Sequence, residues 1–175
     1  MQEEVEMTTK PQKQRDHVAV ETQDAVPVPA AQHAAWYQLL QAHSKIIQEV
    51  EARLLRAGQI PHQWYDVLVT LEKAPGQRLR MSELAGSIVT SRSTLTRLVD
   101  RLEAEGLLRR EACPNDLRGS YAVLTPAGAK ARLAAWPIVS RSIVELFASH
   151  VSDQEADVIA KALGRVADSS SDCRC

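Results

Sequence analysis

From Trp36 onward apolar residues recur three and four positions apart, whereas before about residue 31 no helical or strand period holds. Residues 1–31 are polar and charged, then broken by Val26-Pro27-Val28-Pro29, and read as a flexible arm. Trp36, Leu39, Leu40, Ile46, Ile47, Val50, Leu54 and Leu55 predict one long amphipathic helix ending at Gly58. Pro61 suits the first turn of the next helix, which carries Trp64, Tyr65, Val67, Leu68 and Leu71 and stops at Ala74-Pro75-Gly76. Being apolar on most sides, that helix should be central. Ser82 is placed to cap a short helix with Glu83 in its first turn and Leu84, Ala85 and Ile88 inward. Ser91 then opens a helix with a single apolar stripe, Leu95, Leu98, Val99 and Leu102, closed by Gly106.

The period next changes. Leu107–Glu111 and Ser120–Leu124 read as strands, separated by a turn-rich segment, 113–119, too long for a tight hairpin. Thr125-Pro126 starts a helix that runs to about Ser149 through Leu133, Trp136, Val139, Ile143, Val144 and Phe147, bent at Pro137. Ser152 and Glu155 form a capping box for a last helix with Val158, Ile159, Leu163 and Val166. Residues 169–175 read as a disordered tail.

Composition narrows the function. The 175 residues are 45% hydrophobic and 25% charged, enough for a core without disulfide or metal staples. The net charge of −1 excludes a global polycation, so any nucleic-acid surface is local. Positions 78–118 supply one, with eight arginines against six acidic residues. No apolar run nears the ~18 residues of a membrane span, and MQEEVEMTTK lacks a secretory apolar core, so a cytoplasmic protein is expected. The glycines are too scattered for G-x-G-x-x-G or a Walker A loop. The histidines, His33, His43 and His62 included, show no metal-ligand spacing, and Cys113, Cys173 and Cys175 make no C-x-x-C. No catalytic constellation is present, and no metal or cofactor is expected.

Two short helices across a tight break, followed by a β-ribbon with a basic tip, are in the order of a winged helix-turn-helix. Serines and threonines from Ser91 to Arg101 let a helix approach bases closely, and Arg97 offers bidentate reach to guanine or phosphate. Arg118 at the ribbon tip suits a narrow minor groove, where negative potential concentrates.

The stretch MSELAGSIVTSRSTLTRLVDRLEAEGLLRREACPNDLRGSYAVLTPAG resembles the core of the MarR family of bacterial transcriptional regulators. The specific parts are S-x-S-x-L-T-R-L-V-D-R-L-E-x-x-G-L-L-x-R and the wing P-N-D-x-R-G-S followed by L-T-x-x-G. A weaker likeness runs from about His33 to Val166. The resemblance implies a mainly α fold with a small β-wing: a winged helix-turn-helix core, 61–125, plus a dimerisation region of interleaved helices, 32–60 and 126–168. It implies a homodimer on pseudo-palindromic operator double-stranded DNA, with Ser91, Arg92, Ser93, Thr94 and Arg97 in the major groove. Asp116 would orient Arg118 in the minor groove. Members are usually repressors relieved by small phenolic or amphipathic ligands bound between the two regions. Candidates to line that cleft are Trp36, Tyr37, His43, Trp64, Tyr65 and Asp66.

Asp66 needs a partner on so apolar a helix, either an arginine such as Arg97 or Arg109, or a role as a pH- or ligand-sensitive lock. Val89-Thr90 stands where the family often has Gly and an apolar residue, so the turn before the recognition helix should differ. Two alternatives remain: redox control through Cys113, or a winged helix that binds protein instead of DNA.

Overall fold

The structure, a computed structural model, describes residues 26–88, 92–113 and 116–172. The side chains of Arg92 and of residues 116–118, and those after Ser169, also fall outside the description. Most of the expected arm, the Val89-Thr90 turn and Ser91 therefore lie outside the described residues. The chain divides into two units, Met1–Tyr37 and Gln38–Cys175. In the first, residues 26–29 belong to no helix or strand and are exposed, and the chain enters helix α1 (Ala30–Arg56), where the His33 N–H donates to the Pro29 carbonyl.

The second unit holds the rest of α1, then α2 (His62–Lys73), β1 (Arg78–Arg80), α3 (Met81–Ser87) and α4 (Arg92–Ala104). Strands β2 (Leu108–Cys113) and β3 (Asp116–Leu124) follow, then α5 (Pro126–Leu146) and α6 (Asp153–Asp172). The antiparallel sheet has the order β1-β3-β2. Helix α1 ends where Gly58, at φ 63°, allows a left-handed turn; the Gln59 N–H reaches the Leu54 carbonyl and the Gly58 N–H that of Leu55. Glu51 of α1 then accepts the first N–H of α2, from His62, at 2.6 Å, a carboxylate where the helix dipole favours one.

Helix α2 is central, as its all-round apolar character predicts. Its Val67, Leu68 and Leu71 join Leu84, Leu95, Leu98, Val99 and Leu102 of α3 and α4 and Leu108, Ala122 and Leu124 of the sheet. Its Tyr65 faces the other way, into a second core with Val50 and Leu54 of α1 and Ala135 and Val139 of α5. Period 3.6 on α4 buries one stripe and leaves the rest to solvent.

Three local readings change. A strand, β1, precedes α3 and runs straight into it. Arg80 is still paired with Tyr121 in the sheet, so it becomes the cap in place of Ser82, its N–H donating to Glu83 at 2.8 Å. The ribbon strands extend further into the wing than the sequence suggests. Pairing slips between Ala112, opposite Ser120, and Cys113, opposite Asp116, so residues 117–119 form a bulge instead of an open loop. Helix α6 continues to Asp172, past the Ser-rich start of the expected tail.

One junction ties α4, the ribbon and α5 together. Helix α4 ends in a left-handed turn at Gly106, φ 69°, with Leu107 N–H to the Leu102 carbonyl and Gly106 N–H to that of Glu103. Thr125 then reaches back to this turn, its hydroxyl to the Gly106 carbonyl at 2.7 Å and its N–H to the Leu107 carbonyl at 3.3 Å. The same hydroxyl caps α5 by accepting the Gly128 N–H at 3.1 Å. At Gly128 a Cβ would overlap the Leu107 carbonyl oxygen, so the L-T-x-x-G glycine is a matter of space, not of backbone conformation.

Gly128→Ala should therefore destabilise the chain by roughly 2–3 kcal/mol, because backbone and not a flexible side chain must move. Gly164→Ala, whose methyl meets nothing within 4 Å, is the control. Urea unfolding midpoints compare the two; a normal midpoint for the Gly128 variant would remove the close approach.

Candidate nucleic-acid interface and interhelical cleft

Leu95, Leu98, Val99 and Leu102 hold α4 down, 1%, 7%, 0% and 0% exposed, which turns Ser93, Thr94, Arg97 and Arg101 outward. The arginines around this helix divide by their partners. Arg78 and Arg80 stack on the Tyr121 ring, their guanidinium carbons 5.0 and 5.7 Å from its centroid. Arg109 pairs with Glu111 at 2.5 Å, and Arg110 bridges Asp100 at 2.7 Å and Glu103 at 2.6 Å. Arg97 and Arg101, one turn apart, are exposed and have no ion pair among the described residues. They are the two described cations of this face left for an anionic partner. Arg118 sits in the backbone bulge of β3, where a strand departs from its regular path.

Cys113, the proposed redox residue, is 3% exposed. Burial withholds a thiol from oxidants, which counts against that alternative. Among the described residues no cluster of His, Cys, Asp or Glu suits a metal, and no helix is long and apolar enough to cross a membrane.

A cleft of about 600 Å³ opens between α1, α2 and α5. Its walls are apolar, from Ile46, Val50, Val69 and Trp136 among others, and its polar groups are His62, Asp66, Lys73 and Arg132. Of the residues the sequence offered for such a cleft, Tyr65 and Asp66 line it. Trp64 does not; it packs on the core around α4. His43 is exposed on α1 and is not part of the wall, and Trp36 and Tyr37 are exposed in the first unit. Three polar residues, His62, Lys73 and Arg132, were missed. His62 lies four before Asp66, a helical spacing visible in the sequence. Arg132 carries no local signal, since only the packing of α5 on α2 brings it to Glu72.

The partner expected for Asp66 also changes. Its Oδ2 lies 3.3 Å from His62 Nδ1, while Arg109 is taken by Glu111 and Arg97 points outward from α4. Withdrawal from water raises the Asp66 carboxyl above its ordinary value, and the neighbouring His62 only partly opposes this. Arg132 holds Glu72, and its Nε is buried with no hydrogen-bond acceptor among the described residues. A donor in that state is poised for an acceptor brought by a ligand.

The folded chain thus keeps the Asp66 proton to higher pH than the unfolded chain does. The resulting stability is present in acid and is lost as pH rises from the ordinary carboxylate value through the raised one. Asp66→Asn should escape that loss and gain on wild type between pH 4 and pH 7 in urea unfolding. A stability difference that is the same at both pH values would refute the assignment.

Comparison with known proteins places this geometry. The model of the MarR family matches residues 60–120. Transcriptional regulator HosA of Escherichia coli O111:H- is 33% identical over 94 residues, covering 54% of this chain and 67% of HosA. Transcriptional repressor MprA of Escherichia coli K12 is 32% identical over 85 residues, 49% of this chain; the match spans about half, 48%, of MprA. Among solved structures, the MarR family regulator Sco3205 of Streptomyces coelicolor in complex with DNA superposes with a TM-score of 0.74. It is 29% identical, and the match covers 83% of this chain and 91% of Sco3205.

Proposed function

The chain belongs to the MarR family, and we propose that it regulates transcription by binding double-stranded operator DNA, most simply as a repressor. The observation that carries this is α4: one buried stripe, an outward face of small hydroxyls, and Arg97 and Arg101 with no ion pair among the described residues. In this reading Ser91, Arg92, Ser93, Thr94 and Arg97 meet the major groove, and the wing carries Arg118, oriented by Asp116, to the minor groove. The likeness to Sco3205, solved with DNA, supports it.

Two further proposals complete the reading. The chain works as a homodimer. Helix α6 is 20 residues long, yet none of its described residues is buried, and Val158 and Leu163 are 66% and 39% exposed. With Leu133, Ile143 and Val144 of α5 also exposed, these stripes fit a second copy. The cleft binds an aromatic or amphipathic effector that lifts the protein from DNA, with Tyr65, Asp66, His62 and Arg132 as the polar contacts.

Duplexes selected by the protein from a random pool test the central proposal. Arg118→Ala should weaken binding 30- to 1000-fold, roughly 2–4 kcal/mol for two half-sites, and flatten the salt slope by about two. Base preference at the major-groove positions should persist. Wild-type affinity in that variant would overturn the wing assignment, and binding without salt dependence would overturn the DNA proposal.

Sedimentation should give the mass of two chains. Leu163→Asp places a charge in the stripe and should yield aggregated or unfolded protein. A well-folded monomer, from either protein, would contradict the interleaved dimer.

A further inference from the structure

Resting on the DNA-binding reading, we propose that Arg110 is a positioning residue that locks the recognition helix to the wing. Asp100 and Glu103 lie on adjacent turns of α4, and the guanidinium of Arg110 on β2 spans both, Nη2 to Asp100 Oδ1 at 2.7 Å and Nη1 to Glu103 Oε2 at 2.6 Å. The other oxygen of Glu103 accepts the Arg110 backbone N–H at 2.8 Å. One carboxylate thus grips both the side chain and the main chain of the strand. A planar fork against two fixed carboxylates sets direction as well as distance, which a single ion pair does not.

The lock joins two reading elements. Arg97 lies one turn before Asp100 on the same helix. Arg110 stands opposite Ala122 on β3, whose wing end carries Arg118. Helix and wing therefore approach DNA as one body, and the spacing between the bases each meets is fixed by the protein.

The charges sharpen the inference. Asp100 and Glu103 are carboxylates on the helix that meets a polyanion, so by electrostatics alone they weaken binding. Their contribution must come through geometry.

That conflict gives a test with opposite outcomes. The double variant Asp100→Asn, Glu103→Gln removes two negative charges. On an unselected duplex it should bind as tightly as wild type or several-fold tighter. On the duplex that wild type selects from a random pool, one base pair is inserted between the recognition-helix positions and the wing positions. Wild type should lose at least about a hundredfold on that insertion, and the double variant about tenfold less than wild type loses. Arg110→Lys, which reaches one carboxylate but not both, should fall between and controls for loss of fold. An undiminished insertion penalty in these variants would leave Arg110 as a charge shield and overturn the proposal. If wild type selects no sequence, the DNA-binding reading itself fails and takes this one with it.

Discussion

The fold depends most on the approach of the first turn of α5 to the turn that ends α4. Gly106 and Leu107 offer their carbonyls to Thr125, and Gly128 leaves room for the Leu107 oxygen to sit against the helix. The end of α4, the start of β2, the end of β3 and the start of α5 thereby share one set of hydrogen bonds. None can shift alone without breaking one of them. The ribbon is stiff at its base for this reason, and irregularity is confined to its wing end, where the pairing slips at Cys113.

From that junction the two cores diverge. Helix α2 is the wall between them, giving Val67, Leu68 and Leu71 to the core under α4 and Tyr65 to the core beside α1 and α5. The cleft opens on the Tyr65 side. A molecule wedged there would press on a helix whose opposite face packs under α4. The proposed effector would then reach α4 through packed side chains, with α2 as the element between them. The Glu51 carboxylate at the start of α2 pins one end of that element to α1.

The regular elements were legible from periodicity, because burial of one stripe leaves a repeating mark. The caps at Thr125 and Ser152 were legible too, since a hydroxyl before a helix has a local use. What escaped was set by distant partners. Strand β1 is three residues long and exists because β3 pairs with it, and that pairing moved the cap from Ser82 to Arg80. Arg132 became visible only when α5 and α2 met, whereas His62, the partner of Asp66, stood one turn away on α2 and was overlooked. The residues proposed to face DNA were read more from the family resemblance than from pattern, since a polar helix face alone equally fits a solvated surface. Aromatic residues misled the cleft reading: Trp64 was placed by size into the core around α4, not by chemistry into a binding wall.

The double duty of α2 bears on how sequences like this one can change. A substitution that enlarges a side chain on one face of the helix must be absorbed by its neighbours on that face, or the helix shifts and opens a gap on the other. Changes in the two cores are therefore not independent, although they line different regions. A replacement at Val69 or Tyr65 that is neutral beside one Leu68 or Leu71 neighbourhood will be harmful beside another. Drift in the cleft and drift under α4 are thus bound to proceed in matched steps, and transplanting either core from a relative without the other should fail more often than moving both.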